Sequence, residues 1–354
     1  MTSRLISQGS FRSPLVGPRP QRLRGLSVTL PSALLVLCLS WCLSACHPPA
    51  NPADAPGGSF QGQALSGRDF SGANLAGASF EGAELAGARF VGANLRGARF
   101  KGANLREAYL READAREADF TGAQLDAADL TRARLSRARF DAASLSRARL
   151  DNADLEAASM VRVFAPGAAF TKANMGQVNL EGASLESTRL NQAVLKGAPL
   201  VDATLGAWST AQQGPSPARA AGADLREADL SRANLISVDL SEARLDDARL
   251  IQAQLNHANL TWAHAPRADF SKARLGWVRG YGIDLRGARL DDAVLTQAQL
   301  EGGNLSGVSM SRTQLLQANL NQSILNGANA QGAEAQRTLL HATQGVPTGL
   351  AATR

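Results

Sequence analysis

Four histidines and three cysteines are the side chains best suited to ligation or acid–base work in this 354-residue chain. Cys38, Cys42 and Cys46 are spaced by four, a spacing that suggests a metal site. Two of the three, however, lie inside an apolar N-terminal run. His257 and His264 are near each other, but no cysteine or carboxylate at ligand spacing supports them, and His47 and His341 stand apart. Ser and Asp recur at fixed steps without a base to activate them. The glycines form no phosphate-cradling G-x-x-x-x-G-K-[ST] segment. The residues therefore point to no metal, no cofactor and no catalysis. What remains is contact chemistry. Trp208, Trp262, Trp277 and Tyr281 are the candidate partner surface, because exposed aromatics are favoured as contact residues. Their other reading is local packing plugs.

The elements that carry these residues follow from one pattern. From Leu65 to Leu340 the chain keeps a single frame of 56 pentapeptides, and Leu, Phe or Met is central in 47 of them. Ala stands two residues earlier without a break from Ala73 to Ala158. The stretch Gly92-Ala93-Asn94-Leu95-Arg96-Gly97-Ala98-Arg99-Phe100 shows the unit, A-(D/N/R/S)-(L/F)-x-x. A helix would scatter residues five apart around its axis. One continuous strand would send them to opposite faces. A short strand followed by a corner satisfies the pattern: Ala and Leu or Phe point inward and the residue between them points outward. Gly72, Gly77, Gly82, Gly87, Gly92, Gly97 and Gly102 fall in the corner pair, where a tight bend favours them.

This chain resembles the pentapeptide-repeat family over about three quarters of its length. The resemblance implies an all-β fold, a right-handed quadrilateral parallel β-helix with four pentapeptides per coil. Central Phe residues occur only at multiples of ten (Phe70, Phe80, Phe90, Phe100, Phe120, Phe140, Phe170, Phe270), which puts them on two opposite faces of such a coil. Fourteen coils at about 4.8 Å give a rod of roughly 67 Å. Residues twenty apart should then stack. One outward column interleaves Asp and Arg, from Asp69, Arg89, Asp129 and Arg149 on to Asp229, Arg249, Asp269 and Arg289, and suggests ion pairs between coils.

Residues 1–45 differ in kind. Arg4, Arg12, Arg19, Arg22 and Arg24 precede a mostly apolar run from Leu26 to Ala45, with no acidic residue. This is an export signal. Its end, Leu43-Ser44-Ala45-Cys46, resembles the lipobox of bacterial lipoproteins. That resemblance implies cleavage before Cys46 and lipid attachment to its sulfur. It also implies the outer membrane, because His47 is not Asp. An uncleaved membrane anchor is the other reading. Removing the leader takes away five of 37 basic residues and none of 31 acidic ones, leaving 32 against 31. No net or clustered positive surface for nucleic acid remains.

Residues 46–58, with Pro48, Pro49, Pro52, Pro56, Gly57 and Gly58, read as a tether. Residues 59–340 form the β-helix, with an irregular loop at 206–222 that contains Trp208. Residues 341–354 are a tail or cap, a place where some family members dimerise. Ala165-Pro166 to Val178 and Ala265-Pro266 to Val278 share a motif at an offset of 100, which places both in one column. Duplication history and a paired surface feature both explain it. The chain reads as a membrane-anchored structural or interaction scaffold of the cell envelope, held by lipid on Cys46 and facing an unidentified envelope protein. The alternative is a DNA-mimicking, topoisomerase-binding family member. Its strongly acidic surface and cytoplasmic setting differ from a near-neutral, exported chain.

Overall fold

The computed structural model describes residues 53–206 and 216–350, all within one compact unit, Pro49–Arg354. The leader, Cys46, most of the tether and Trp208 lie outside the described residues.

Each pentapeptide builds one side of a square coil. In the unit ending at Leu95, the outward Asn94 N–H donates to Ala73 O of the preceding coil at 2.9 Å. Leu95 N–H donates to Asp114 O of the next coil at 2.7 Å, and Gly97 N–H to Arg116 O at 2.9 Å. The turn closes with Ala98 N–H donating to Leu95 O at 2.9 Å. This leaves the N–H of the first corner residue. Outward Asp and Asn side chains accept it: Ser71 N donates to Asp69 Oδ1 at 2.9 Å, Arg96 N to Asn94 Oδ1 at 3.3 Å and Thr121 N to Asp119 Oδ1 at 2.9 Å. The preference for Asp and Asn in the outward slot is therefore a hydrogen-bond requirement of the corner, in addition to any charge pairing.

The second corner residue has positive φ at every described corner, as a type II turn demands. Glycine fills it in all corners from Gly57 to Gly102. Farther along, residues such as Glu107, Ala142 and Arg232 adopt it at φ 57–59° or close to that (55° for Ala142).

Parallel pairings link residues twenty apart and define four faces, led by Ser59, Ala64, Asp69 and Asn74. They are called here the first to fourth faces. Inside, the Ala and Leu or Phe rows are almost wholly buried. Phe60, Phe80, Phe100, Phe120 and Phe140 stack along the first face with centroids 4.7–4.9 Å apart. Phe70 and Phe90 stack on the opposite, third face at 5.0 Å and meet the first column edge-on. Phe270 belongs to the first face, since Asp269 pairs with Arg249 and Arg289 there.

One irregularity resets the register. Thr204 pairs with Asn234 and Arg189 with Arg219, thirty residues apart. Ten extra residues therefore separate these rungs, and the inward slot is regained at Ala218, earlier than the boundary at Gly222 expected from the sequence. Two sequence expectations need correction for the same reason. Asp69 to Arg189 run up the third face, whereas Asp229, Arg249, Asp269 and Arg289 form a column on the first. The two similar motifs also separate: Phe164 pairs with Ser144 and Ser184 on the second face, and His264 with Arg244 and Asp284 on the fourth. A ten-residue insertion is half a coil, so everything beyond it moves to the opposite side. At the C-terminal end, pairings at Gln344 and Thr348 carry the ladder past residue 340, where a tail or cap was expected.

Candidate functional site

Three of the four aromatic residues singled out in the sequence, Trp262, Trp277 and Tyr281, fall around the third face, in the coils that carry Asn259 and Arg279. Trp262 and Tyr281 occupy one bounding corner and Trp277 the other, with the outward residues Asn259 and Arg279 between the two corners. All three rings are exposed: Trp262 by 59%, Trp277 and Tyr281 by 48% each.

Each ring is held by its coil neighbours. Trp262 lies over Gly282, where an added Cβ would sit 2.2 Å from the indole. Only glycine leaves room for it, and Tyr281 meets it edge-on at 5.3 Å. Trp277 stacks on His257 at 5.1 Å with planes 9° apart, and its indole N–H donates to Gln297 Oε1. Gln297 in turn donates to Gln317 Oε1 at 2.7 Å. Both tryptophans sit in the positive-φ corner slot, at 58° and 55°, a backbone region unfavourable to bulky residues. Thus Trp277 is partly a packing element of its corner, and Trp262 with Tyr281 is the freer pair. Arg279 is exposed and makes no side-chain pair with a described residue. Asn259 is committed to its own coil, accepting from Thr261 Oγ1 at 2.7 Å and donating to Asp239 Oδ1 at 2.9 Å.

The two nearby histidines do not meet. His257 supports Trp277, and His264 lies on the fourth face between Asp246 Oδ2 at 3.2 Å and Asp284 Oδ2 at 3.0 Å. The carboxylate pairing of His264 was missed in the sequence, because Asp246 and Asp284 become its neighbours only through the coil. Burial pushes the Asp284 carboxyl up, and its hydrogen bonds with Arg286 more than offset this and hold it below the usual range. Among the described residues, no group of three or more His, Cys, Asp or Glu side chains is arranged to hold a metal ion. Ion pairs cross between coils, as in Arg232 on Asp202 at 2.6 Å, Arg267 on Asp247 at 2.5 Å and Arg312 on Asp292 at 2.7 Å.

A family described as Pentapeptide repeats matches the sequence in eight copies: residues 65–102, 93–132, 133–171, 167–200, 218–250, 243–279, 281–312 and 304–341. The copies stop at 200 and resume at 218, which brackets the insertion. No curated protein matches the chain. Among solved structures, HetL, a pentapeptide repeat protein involved in heterocyst differentiation regulation from the cyanobacterium Nostoc sp. strain PCC 7120, is 25% identical. The match covers 82% of this chain and 92% of HetL with a TM-score of 0.23. Full-length QnrB1, a plasmid-mediated fluoroquinolone resistance protein, is 18% identical over 58% of this chain and 90% of its own, with a TM-score of 0.25. A pentapeptide repeat protein of the Arabidopsis thaliana thylakoid lumen is 34% identical over 25% of this chain and 65% of its own, with a TM-score of 0.21. With its repeat unit, its twenty-residue ladders and family matches over most of its length, the chain belongs to the pentapeptide-repeat family and forms that family's right-handed quadrilateral β-helix.

Proposed function

We propose that this protein is a lipid-anchored scaffold of the bacterial cell envelope, without catalysis, that docks a partner protein on its third face. The observation that carries the docking half is the exposed Trp262–Tyr281 pair with Trp277 and the unpaired Arg279 around one face. Trp, Tyr and Arg are the residues that dominate interface energies. A coil closed by hydrogen bonds on every side presents them with little conformational freedom to lose on binding. The anchoring half rests on the leader ending Leu43-Ser44-Ala45-Cys46. The topoisomerase reading calls for a strongly acidic surface. The ladders instead alternate charge, as in Asp229, Arg249, Asp269 and Arg289.

Anchoring is tested by metabolic lipid labelling and fractionation of the native chain and of Cys46→Ala. Label that follows Cys46, with native protein in the outer-membrane fraction, supports the reading. Unlabelled protein in the cytosol in both cases would refute it and bring the topoisomerase reading forward.

A further inference from the structure

Arginines on the faces of this rod stack on carboxylates: Arg89 on Asp69 at 3.8 Å, Arg149 on Asp129 at 3.6 Å, Arg249 on Asp229 at 4.0 Å. One pairing departs from this. Arg189 and Arg219 are bridged directly on the third face, and among the described residues no other bridge sets arginine against arginine. The insertion creates the pairing, because without it Arg189 would stack on residue 209. Like charges directly opposite on neighbouring strands are destabilising.

Neither side chain has an ion-pair or hydrogen-bond partner among the described residues. The other neighbour of Arg189 is Ala169, 1% exposed. The other neighbour of Arg219 is Asp239, whose Oδ1 already accepts from Ser241 Oγ at 2.8 Å and Asn259 Nδ2 at 2.9 Å. Glu186, on the adjoining corner, is buried and engaged in an interaction of its own. The inserted residues 207–215 contain no Asp or Glu. Lys172, exposed on the corner beside Ala169, adds a third cation.

We propose that Arg189 and Arg219 form a binding site for a phosphate monoester group. The two strands lie one rung, about 4.8 Å, apart, so the guanidinium forks they carry can close on a single tetrahedral oxyanion. Charge selects the ligand. A carboxylate neutralises one of the two cations and leaves the repulsion, whereas a phosphomonoester carries about −1.5 to −2 at pH 7. The site is separate from the aromatic cluster and does not depend on the lipid anchor.

The test uses the full-length purified chain in detergent and inorganic phosphate as probe, titrated against chloride at constant ionic strength. Isothermal titration and thermal melts are the readouts. Saturable phosphate binding at pH 7.5 is expected, weakening steadily as the pH is lowered and inorganic phosphate takes up its second proton. Arg189→Gln and Arg219→Gln should each weaken it by about tenfold or more, the loss expected of a charge-assisted hydrogen bond. Arg149→Gln, which removes a paired arginine, should leave it unchanged. Without phosphate, the first two variants should melt no lower than the native chain, since they remove a repulsion. The proposal is overturned by absence of saturable binding, or by equal loss in Arg149→Gln. It is also overturned if both key variants melt lower without phosphate, which would make the pair structural. Acetate or an oligoglutamate peptide binding as well as phosphate would assign the pair to carboxylates of a protein partner instead.

Discussion

Replacing Ala142 by Gly should stabilise this protein, although glycine ordinarily weakens regular structure. Ala142 holds φ 55° in the second corner slot. The left-handed region costs an L-residue roughly 1–2 kcal/mol. Glycine removes that cost and adds about 0.5–1 kcal/mol of unfolded-state entropy. The net gain is about 0.5 kcal/mol, and Ala127 and Ala157, at φ 57° and 54°, should behave alike. The three occupy different corners, so their effects should add to about 1.5 kcal/mol. The reverse change isolates the same quantity. At Gly92, with φ 65°, an added Cβ meets nothing within 4 Å, so Gly92→Ala tests the dihedral alone and should cost about 0.5 kcal/mol. Urea unfolding of the purified chain, with midpoints compared at unchanged slope, measures both directions. If Ala142→Gly destabilises by as much as glycine does in an ordinary strand, the corners store no such strain and the reasoning fails.

Three further outcomes follow from the packing. Phe100 is fully buried between Phe80 and Phe120, so Phe100→Ala should cost about 3–5 kcal/mol by urea unfolding. Phe100→Leu should cost less, under about 1.5 kcal/mol, because later rungs of that column, such as Leu180 and Leu200, already use Leu; equal losses would contradict the stacked-column account. Hydrogen bonds from Arg226, Arg232 and Arg267 hold the Asp224, Asp202 and Asp247 carboxyls below the usual carboxylate range. A depressed folded-state value favours the folded chain above the unfolded value, so melting temperature should fall as pH drops through about 4 and below; a rise on acidification over that window would refute the sign. Gly282→Ala should expel the Trp262 ring from its seat and red-shift tryptophan emission, while Gly287→Ala, whose Cβ would meet only Arg267 Cγ at 3.7 Å, should not.

Much of the fold was legible because a five-residue period is incompatible with a helix or a single strand. The inward rows and the glycine corners followed from that alone, and the two opposite phenylalanine columns followed once the family resemblance implied four sides to each coil. Register beyond the insertion was not legible. The repeat lapses over residues 206–222 and resumes in the same frame of fives, so nothing in the sequence shows that only half a coil has been added. That half coil moved the Asp229 column to the first face and separated the two Ala-Pro motifs. It also brought Arg219 onto Arg189. The candidate surface was legible in composition but not in arrangement. Trp262, Trp277 and Tyr281 stood out as aromatics clustered around the second Ala-Pro break. That Trp277 is tied to His257 and Gln297 while Trp262 rests on Gly282 depends on contacts twenty residues apart.

The docking claim is tested most directly by photo-crosslinking in the native envelope, with a photoreactive residue placed at Tyr281 on the edge of the third face or at Ser309 on the opposite first face. The account predicts a discrete protein adduct from position 281, absent from 309 and lost in the Cys46→Ala background. No adduct at 281, or the same adducts from both faces, would contradict a docking surface built on Trp262 and Tyr281.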